Sequence, residues 1–243
     1  MEKTKTIIIT GSEGMIGKSL REYFFKKNFT VIGLDKKKGI NSIYCDITDE
    51  KSLKKKLNLI FKKKNPDILI NAAGIIPKIK KFKFSNYSSK NWINTIKVDL
   101  FGSFFISKIC CKYFERQKKG LIINFSSIYG DSGPDQSIYG KLKKNYGYKN
   151  LEYGVAKAGI IGFTKALSSF YKNSNIKVLC FILGGVQGGK VPKNFKKHYL
   201  KKTVENKMIT THQICKYVEF SILNPEIVSG SCINFDGGAK SIF

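Results

Sequence analysis

A doubly wound α/β fold, with a mostly parallel sheet of seven strands covered by helices on both faces, is what this sequence predicts. Three observations carry that expectation. Short β-branched and apolar segments recur seven times, stretches with helical spacing separate them, and a glycine-rich turn follows the first segment directly. Strand and helix in alternation require crossover connections, which leave the strands parallel and both sheet faces buried.

Taken in order, the segments at 6–10, 30–34, 43–45, 67–71, 121–125, 177–183 and 232–235 predict strands. Between the first two, Met15, Ile16, Leu20, Phe24 and Phe25 share one helical face; between the third and fourth, Leu53, Leu57, Ile60 and Phe61 do the same. Longer helices are predicted over 91–118 and 153–171. The segment 130–151, dense in Gly, Asp, Asn and Pro, predicts an irregular inserted loop, and a loop of that length in a compact domain is usually functional. With 243 residues and no internal repeat or low-complexity linker, the chain predicts one domain spanning 1–243.

Composition bounds the function. Hydrophobic residues at 42% and aromatics at 13% describe a globular chain. The net charge of +27 suits a polyanion partner, but among 44 basic residues only Arg21 and Arg116 are arginine, and the lysines are scattered rather than gathered into a stripe. Groove and phosphate recognition lean on the planar arginine fork. A lysine-biased solvated surface, with no nucleic-acid partner, is therefore expected; its field still favours encounter with phosphorylated or nucleotide-linked small molecules. The six cysteines contain no C-x-x-C pair and the two histidines lie far from them, so no metal site is expected. No stretch approaches a signal or membrane-span length, which leaves a cytoplasmic protein with free thiols and no membrane partner as the expectation.

The run Gly11, Ser12, Glu13, Gly14, Met15, Ile16, Gly17 joins the first strand to the first helix. In that context glycines allow a tight turn and close approach of the backbone to a pyrophosphate, and the helix N-terminus supplies N–H groups and positive dipole. Asp35 ends the second strand 18 residues after Gly17. A carboxylate there accepts from ribose hydroxyls and repels a 2′-phosphate, so a Rossmann-type domain selecting NAD over NADP is expected. Lys36, Lys37 and Lys38 soften that repulsion enough to leave NADP open, and Glu13 adds a second negative charge to the cradle.

Tyr-x-x-x-Lys puts a phenol and an ammonium one helical turn apart. It occurs three times, as Tyr23/Lys27, Tyr139/Lys143 and Tyr153/Lys157. Only the third opens a good helix after a strand ending in Ser126-Ser127.

With these motifs in order the chain resembles, over essentially its whole length, the short-chain dehydrogenase/reductase family. Thr10 to Gly17 is similar to its nucleotide loop, Cys45-Asp46-Ile47 to its adenine-side segment, and Asn71-Ala72-Ala73-Gly74 to its turn after the fourth strand. Asn124 to Ser127 is similar to its catalytic-serine strand, and Asp236-Gly237-Gly238 to its C-terminal signature. The resemblance implies that Ser127 hydrogen-bonds the substrate oxygen, Tyr153 exchanges the proton and Lys157 holds the nicotinamide ribose, with hydride moving to or from the cofactor. It also implies a homodimer or homotetramer.

Three departures stand out. By bare family spacing Ser126 with Tyr139 fits better than Tyr153, which is favoured on helix context. Asp99 replaces the family's Asn in the long helix and is expected near Lys157. Leu183-Gly184-Gly185-Val186 replaces a Pro-Gly after the sixth strand, which should loosen the nicotinamide-side loop while keeping the backbone amides of Gly184 and Val186. The stretch Pro134 to Tyr139 with Asn150 to Tyr153 is similar to a bacterial branch linked to surface-glycan and flagellin-sugar pathways, which implies an amino-sugar or nucleotide-sugar substrate. The competing expectation is a catalytically silent NAD-binding partner of the same fold, motivated by Asp99 and Leu183.

Overall fold

In a computed structural model of the chain, residues 5–39, 41–76, 83–140, 148–188, 191–224 and 226–241 are described. The elements are β1 (Thr6–Thr10), α1 (Met15–Lys26), β2 (Thr30–Asp35), β3 (Ser42–Tyr44), α2 (Glu50–Lys64), β4 (Ile68–Asn71) and α3 (Ser89–Ile96). After α3 come a π-helical turn (Lys97–Phe101), α4 (Gly102–Gln117), β5 (Gly120–Ser127), α5 (Ile128–Asp131), α6 (Gln136–Gly140), α7 (Leu151–Phe170) and β6 (Ile176–Leu183). The chain continues through β7 (Val186–Gln187), α8 (Lys193–Leu200), β8 (Ile209–Thr210), α9 (Thr211–Leu223) and β9 (Cys232–Phe235).

Seven strands form one sheet in the order β3-β2-β1-β4-β5-β6-β9, every neighbouring pair parallel. These are the seven expected strands. Their side chains are divided by the pleat between two apolar layers. Ile8, Leu34, Leu69 and Ile122 pack with α2 and α4, while Ile7, Ile9, Ile70 and Ile123 pack with α1 and α9.

The expected helix faces hold with two exceptions. Leu53, Leu57, Ile60 and Phe61 are all buried, as are Leu20 and Phe24, but Phe25 and Met15 are exposed. Phe25 sits about 100° round the helix from Phe24 and cannot share its face. Within 130–151 the described residues are more regular than the expected loop: α6 begins where Asp135 Oδ1 accepts from Ser137 N at 2.9 Å. Residues 141–147, including Lys143 of the second Tyr-x-x-x-Lys pair, lie outside the described residues.

Strand order reverses at β1, which pairs with β2 on one side and with β4 on the other. Ligands of open α/β sheets collect at the carboxyl ends of strands at such a switch point. Register brings Thr10, Asn71 and Asn124 side by side there. Asn71 Nδ2 donates to Asn124 Oδ1 at 2.8 Å and to Ser107 Oγ at 3.1 Å, and Asn124 Nδ2 donates to Thr164 Oγ1 at 3.0 Å. This buried network ties α4 and α7 to the sheet, and so sets the two helices that carry the site.

Candidate active site

A cavity of about 570 Å³ opens at the carboxyl ends of β1, β4, β5 and β6. Gly14, Met15, Ile16, Asn71 to Gly74, Asp99, Ser127, Tyr153, Lys157, Gly184 and Val186 all line it. Gly11, Ser12, Glu13, Gly17, Asp35, Asp46 and Ile47 do not, although the sequence puts them in the same cofactor set.

The cradle explains several of those absences. Gly11 has φ +65°, and a Cβ on it would lie 2.6 Å from the Ala73 Cα; a Cβ on Gly17 would lie 2.1 Å from the Gly11 carbonyl oxygen. Both glycines serve close packing within the turn. Gly14 caps α1 with no side-chain hydrogen bond and no acidic residue in the first turn. The helix therefore keeps N–H donors and positive dipole for an anion at the cavity mouth, which fits a dinucleotide pyrophosphate.

Asp35 closes β2 with its carboxylate held by two backbone amides, Glu13 N at 2.8 Å and Lys37 N at 2.7 Å. Glu13 does not load the cradle with charge as expected. Its carboxylate accepts from Ser42 Oγ and pairs with Arg21 at 3.5 Å, turned away from the cavity. Lys36 is also committed: its Nζ lies 2.7 Å from Asp46 Oδ2, while Asp46 Oδ1 accepts from Thr48. Burial opposes ionisation of Asp46, but Lys36 and Thr48 outweigh it and hold the carboxyl at about 2. Ile47 is core, packed so closely on Gly102 that a Cβ there would lie 2.5 Å from Ile47 Cδ1.

At the other end of the cavity, α7 presents Tyr153 and Lys157 one turn apart. Lys157 Nζ lies 5.7 Å from the Tyr153 ring centroid, donates to the Phe125 carbonyl at 3.2 Å and stands 3.5 Å from Asp99 Oδ2. Burial alone would lower the Lys157 ammonium, but Asp99 and then Tyr153 outweigh it and hold the group above the ordinary lysine value. Burial also lifts the Asp99 carboxyl, against the pull of Lys157 and of Ile75 N, which donates to Asp99 Oδ1 at 2.8 Å. Asp99 sits in the π-helical turn, a local rewinding frequently found at functional sites. Its neighbour Gly74 leaves room for the carboxylate, since a Cβ there would come 3.1 Å from Asp99 Oδ2.

Ser127 ends β5 and accepts from Tyr129 N at 3.2 Å, which leaves its hydroxyl hydrogen available to a ligand oxygen. Ser126 donates to the Lys157 carbonyl at 2.7 Å instead. Tyr139 is 3% exposed, and its hydroxyl pairs with that of Tyr129 at 2.8 Å. The alternative pairing of Ser126 with Tyr139 thus has both hydroxyls occupied by protein groups.

The Gly184 segment is better anchored than the missing proline suggests. Gly185 N donates to Tyr199 Oη at 2.5 Å, Gly184 N to the Phe235 carbonyl at 3.0 Å, and the Gly185 carbonyl accepts from Ile209 N at 3.1 Å. Tertiary hydrogen bonds restrict the backbone where the side chain does not.

Sequence reasoning missed Tyr129, Lys149 and Tyr199, all on the cavity wall. Lys149 precedes α7, so no helical period includes it, and lysine is too common here for composition to single it out. Among the described residues no His, Cys, Asp or Glu cluster suits a metal ion, and no helix is long and apolar enough to cross a membrane.

Comparison with known proteins adds an independent line. The family model for short chain dehydrogenases matches residues 5–199. The chain is 29% identical to the 3-oxoacyl-[acyl-carrier-protein] reductase FabG of Buchnera aphidicola subsp. Baizongia pistaciae, covering 98% of each chain. It is 26% identical to the post-translational flagellin modification protein A of Campylobacter coli, covering 98% of this chain and 99% of the relative. Among solved structures, a short chain dehydrogenase from Leptospira borgpetersenii serovar Hardjo-bovis with bound NAD+ superposes with a TM-score of 0.85 at 31% identity, covering 98% of this chain and 93% of the other.

Proposed function

The chain belongs to the short-chain dehydrogenase/reductase family of oxidoreductases, and from that premise we propose that it interconverts an alcohol and a ketone with NAD(H), on an amino-sugar or nucleotide-sugar used in surface-glycan synthesis. The observation that carries the chemistry is the meeting of Ser127, Tyr153 and Lys157 on one cavity, with Lys157 held by Asp99. The sugar reading draws on the likeness to the flagellin modification protein.

In this reading the free end of the Ser127 hydroxyl donates to the substrate oxygen and orients it toward Tyr153. The Tyr153 phenol gives or takes the proton on that oxygen, a role for which an adjacent ammonium is suited because it stabilises the phenolate. Lys157 supplies that ammonium, and Asp99 keeps it charged and aimed. Gly14 to Ile16 would take the pyrophosphate, Asp35 the adenosine ribose and Asp46 with Ile47 the adenine side, Asn71 to Gly74 and Gly184 to Val186 would flank the rest of the dinucleotide, and Lys157 would hold the nicotinamide ribose. The bound nicotinamide supplies or accepts the hydride. Intact Ser127, Tyr153 and Lys157 weigh against a silent binding partner.

The protein would work in the cytoplasm as one domain, consistent with six free cysteines. Exposed Phe101, Phe104 and Val155 on the α4 and α7 side support a homodimer or homotetramer. The test is a screen of phosphorylated and nucleotide-linked sugars, with NAD and NADP side by side, reading the absorbance of reduced cofactor. Turnover that vanishes in Tyr153→Phe supports the assignment; equal turnover in that variant overturns it.

A further inference from the structure

Lys149 lies four residues before Tyr153 and is only 8% exposed. One side chain clasps its backbone from both directions: Lys149 N donates to Gln136 Oε1 at 2.8 Å, and Gln136 Nε2 donates to the Lys149 carbonyl at 3.1 Å. The ammonium stands 4.0 Å from the Tyr153 ring centroid and 5.8 Å from that of Tyr129, on the wall of the same cavity. The ring faces attract it but leave its N–H donors unused.

Acidic groups nearby are already engaged. Asp99 serves Lys157 and Ile75, and the buried Glu152 accepts from the Tyr87 hydroxyl and from Asn150 Nδ2. Among the described residues Lys149 has no ion-pair partner. Burial, and then the Lys157 ammonium, push the Lys149 group down to about 8, against the pull of Asp99 and Glu152. A buried ammonium with no counter-ion is unfavourable unless something else brings one.

We propose that Lys149 is an anion-recognition residue of the substrate pocket, meeting a phosphate or carboxylate of the substrate while the reacting carbon lies between Ser127 and Tyr153. The inference rests on the reading of this cavity as the catalytic pocket, and it narrows the substrate to an acidic one. Lys157 cannot serve the same end, because Asp99 already neutralises it. The net charge of +27 raises the local concentration of any such anion.

Titration calorimetry on the NAD-loaded protein tests this with three probes: N-acetylglucosamine 1-phosphate, glucuronic acid and neutral N-acetylglucosamine. At least one acidic probe should bind about tenfold more tightly than the neutral sugar, and which one does distinguishes phosphate from carboxylate. Lys149→Met should abolish that preference and Lys149→Arg should keep most of it. Binding should weaken as pH rises through about 8, where the neighbouring Lys157, Asp99 and Glu152 bias the Lys149 charge, and Lys149→Arg should lack that decline. A preference that survives in Lys149→Met, or no measurable binding of any probe, overturns the proposal. So does a large loss of NAD affinity in folded Lys149→Met, which would assign the ammonium to the cofactor's own phosphates. Tyr153→Phe should retain the preference without turnover, so a failure of the oxidoreductase reading and a failure of the Lys149 reading give different results.

Discussion

Asp99 Oδ2 stands 3.5 Å from Lys157 Nζ, with the Asp99 side chain shut away from solvent and Lys157 on the cavity wall. The pair joins the π-helical turn to α7, and its consequence is electrostatic. Asp99 is the main influence that holds the Lys157 ammonium above its ordinary value against burial. Asp99→Asn keeps an acceptor for Ile75 N but removes the charge, so burial then dominates and the ammonium is lost at lower pH. The variant should keep substantial activity while the alkaline limb of its pH–rate profile moves to lower pH. An unmoved limb would mean that the ion pair is only structural, and near-complete loss of turnover in a folded variant would mean that Asp99 handles protons itself.

Two tyrosines compete for the proton role, and substitution separates them. Tyr153→Phe removes the phenol at the cavity and should lower kcat roughly 10²–10⁴-fold. Tyr139→Phe leaves the Tyr129 hydroxyl without its partner and should cost stability, about 1 kcal/mol, with little change in kcat. Steady-state kinetics of the two variants in parallel decides it, and the reverse ranking would move the chemistry to Tyr139.

Because Gln136 clasps the Lys149 backbone at the cavity wall, the described part of segment 130–151 should shape the substrate pocket rather than the cofactor site. Gln136→Ala releases both backbone hydrogen bonds and should raise the substrate KM by roughly fivefold, the worth of about 1 kcal/mol, with NAD affinity nearly unchanged. A fall in NAD affinity as large as the rise in KM would contradict that division of labour.

Cofactor choice turns on Asp35 against the lysines that follow it. Because Lys36 is engaged by Asp46 and the Asp35 carboxylate is fixed by two amides, NAD should bind more tightly than NADP. Calorimetric titration of both dinucleotides measures this directly. Equal or tighter NADP binding would show that Lys37 and Lys38 dominate.

The nucleotide turn has no room to spare at Gly17. Gly17→Ala forces a Cβ onto the Gly11 carbonyl oxygen and should destabilise the fold by about 1–3 kcal/mol, with a matching drop in Tm and weakened NAD binding. An unchanged Tm would falsify the packing role given to this glycine.

Much of this protein is legible in its sequence. The seven strands declare themselves as short apolar, β-branched runs, the turn through its glycines after the first strand, and the helix carrying Tyr153 and Lys157 through its composition and its place after a strand ending in serines. Their order then leaves few topologies, since crossovers are right-handed and parallel strands need them. Only the tertiary structure decided what meets what. Asp99 faces Lys157 across 58 positions of chain because a rewound turn and the Ser107–Asn71–Asn124–Thr164 network bring α4 and α7 onto one sheet. Glu13 turns to Arg21, Lys36 to Asp46 and Lys149 onto the Tyr153 ring, and none of these choices has a sequence period. A charge on a flexible side chain finds its partner by distance and desolvation in the folded molecule, and those quantities exist only once the sheet has set the helices against each other.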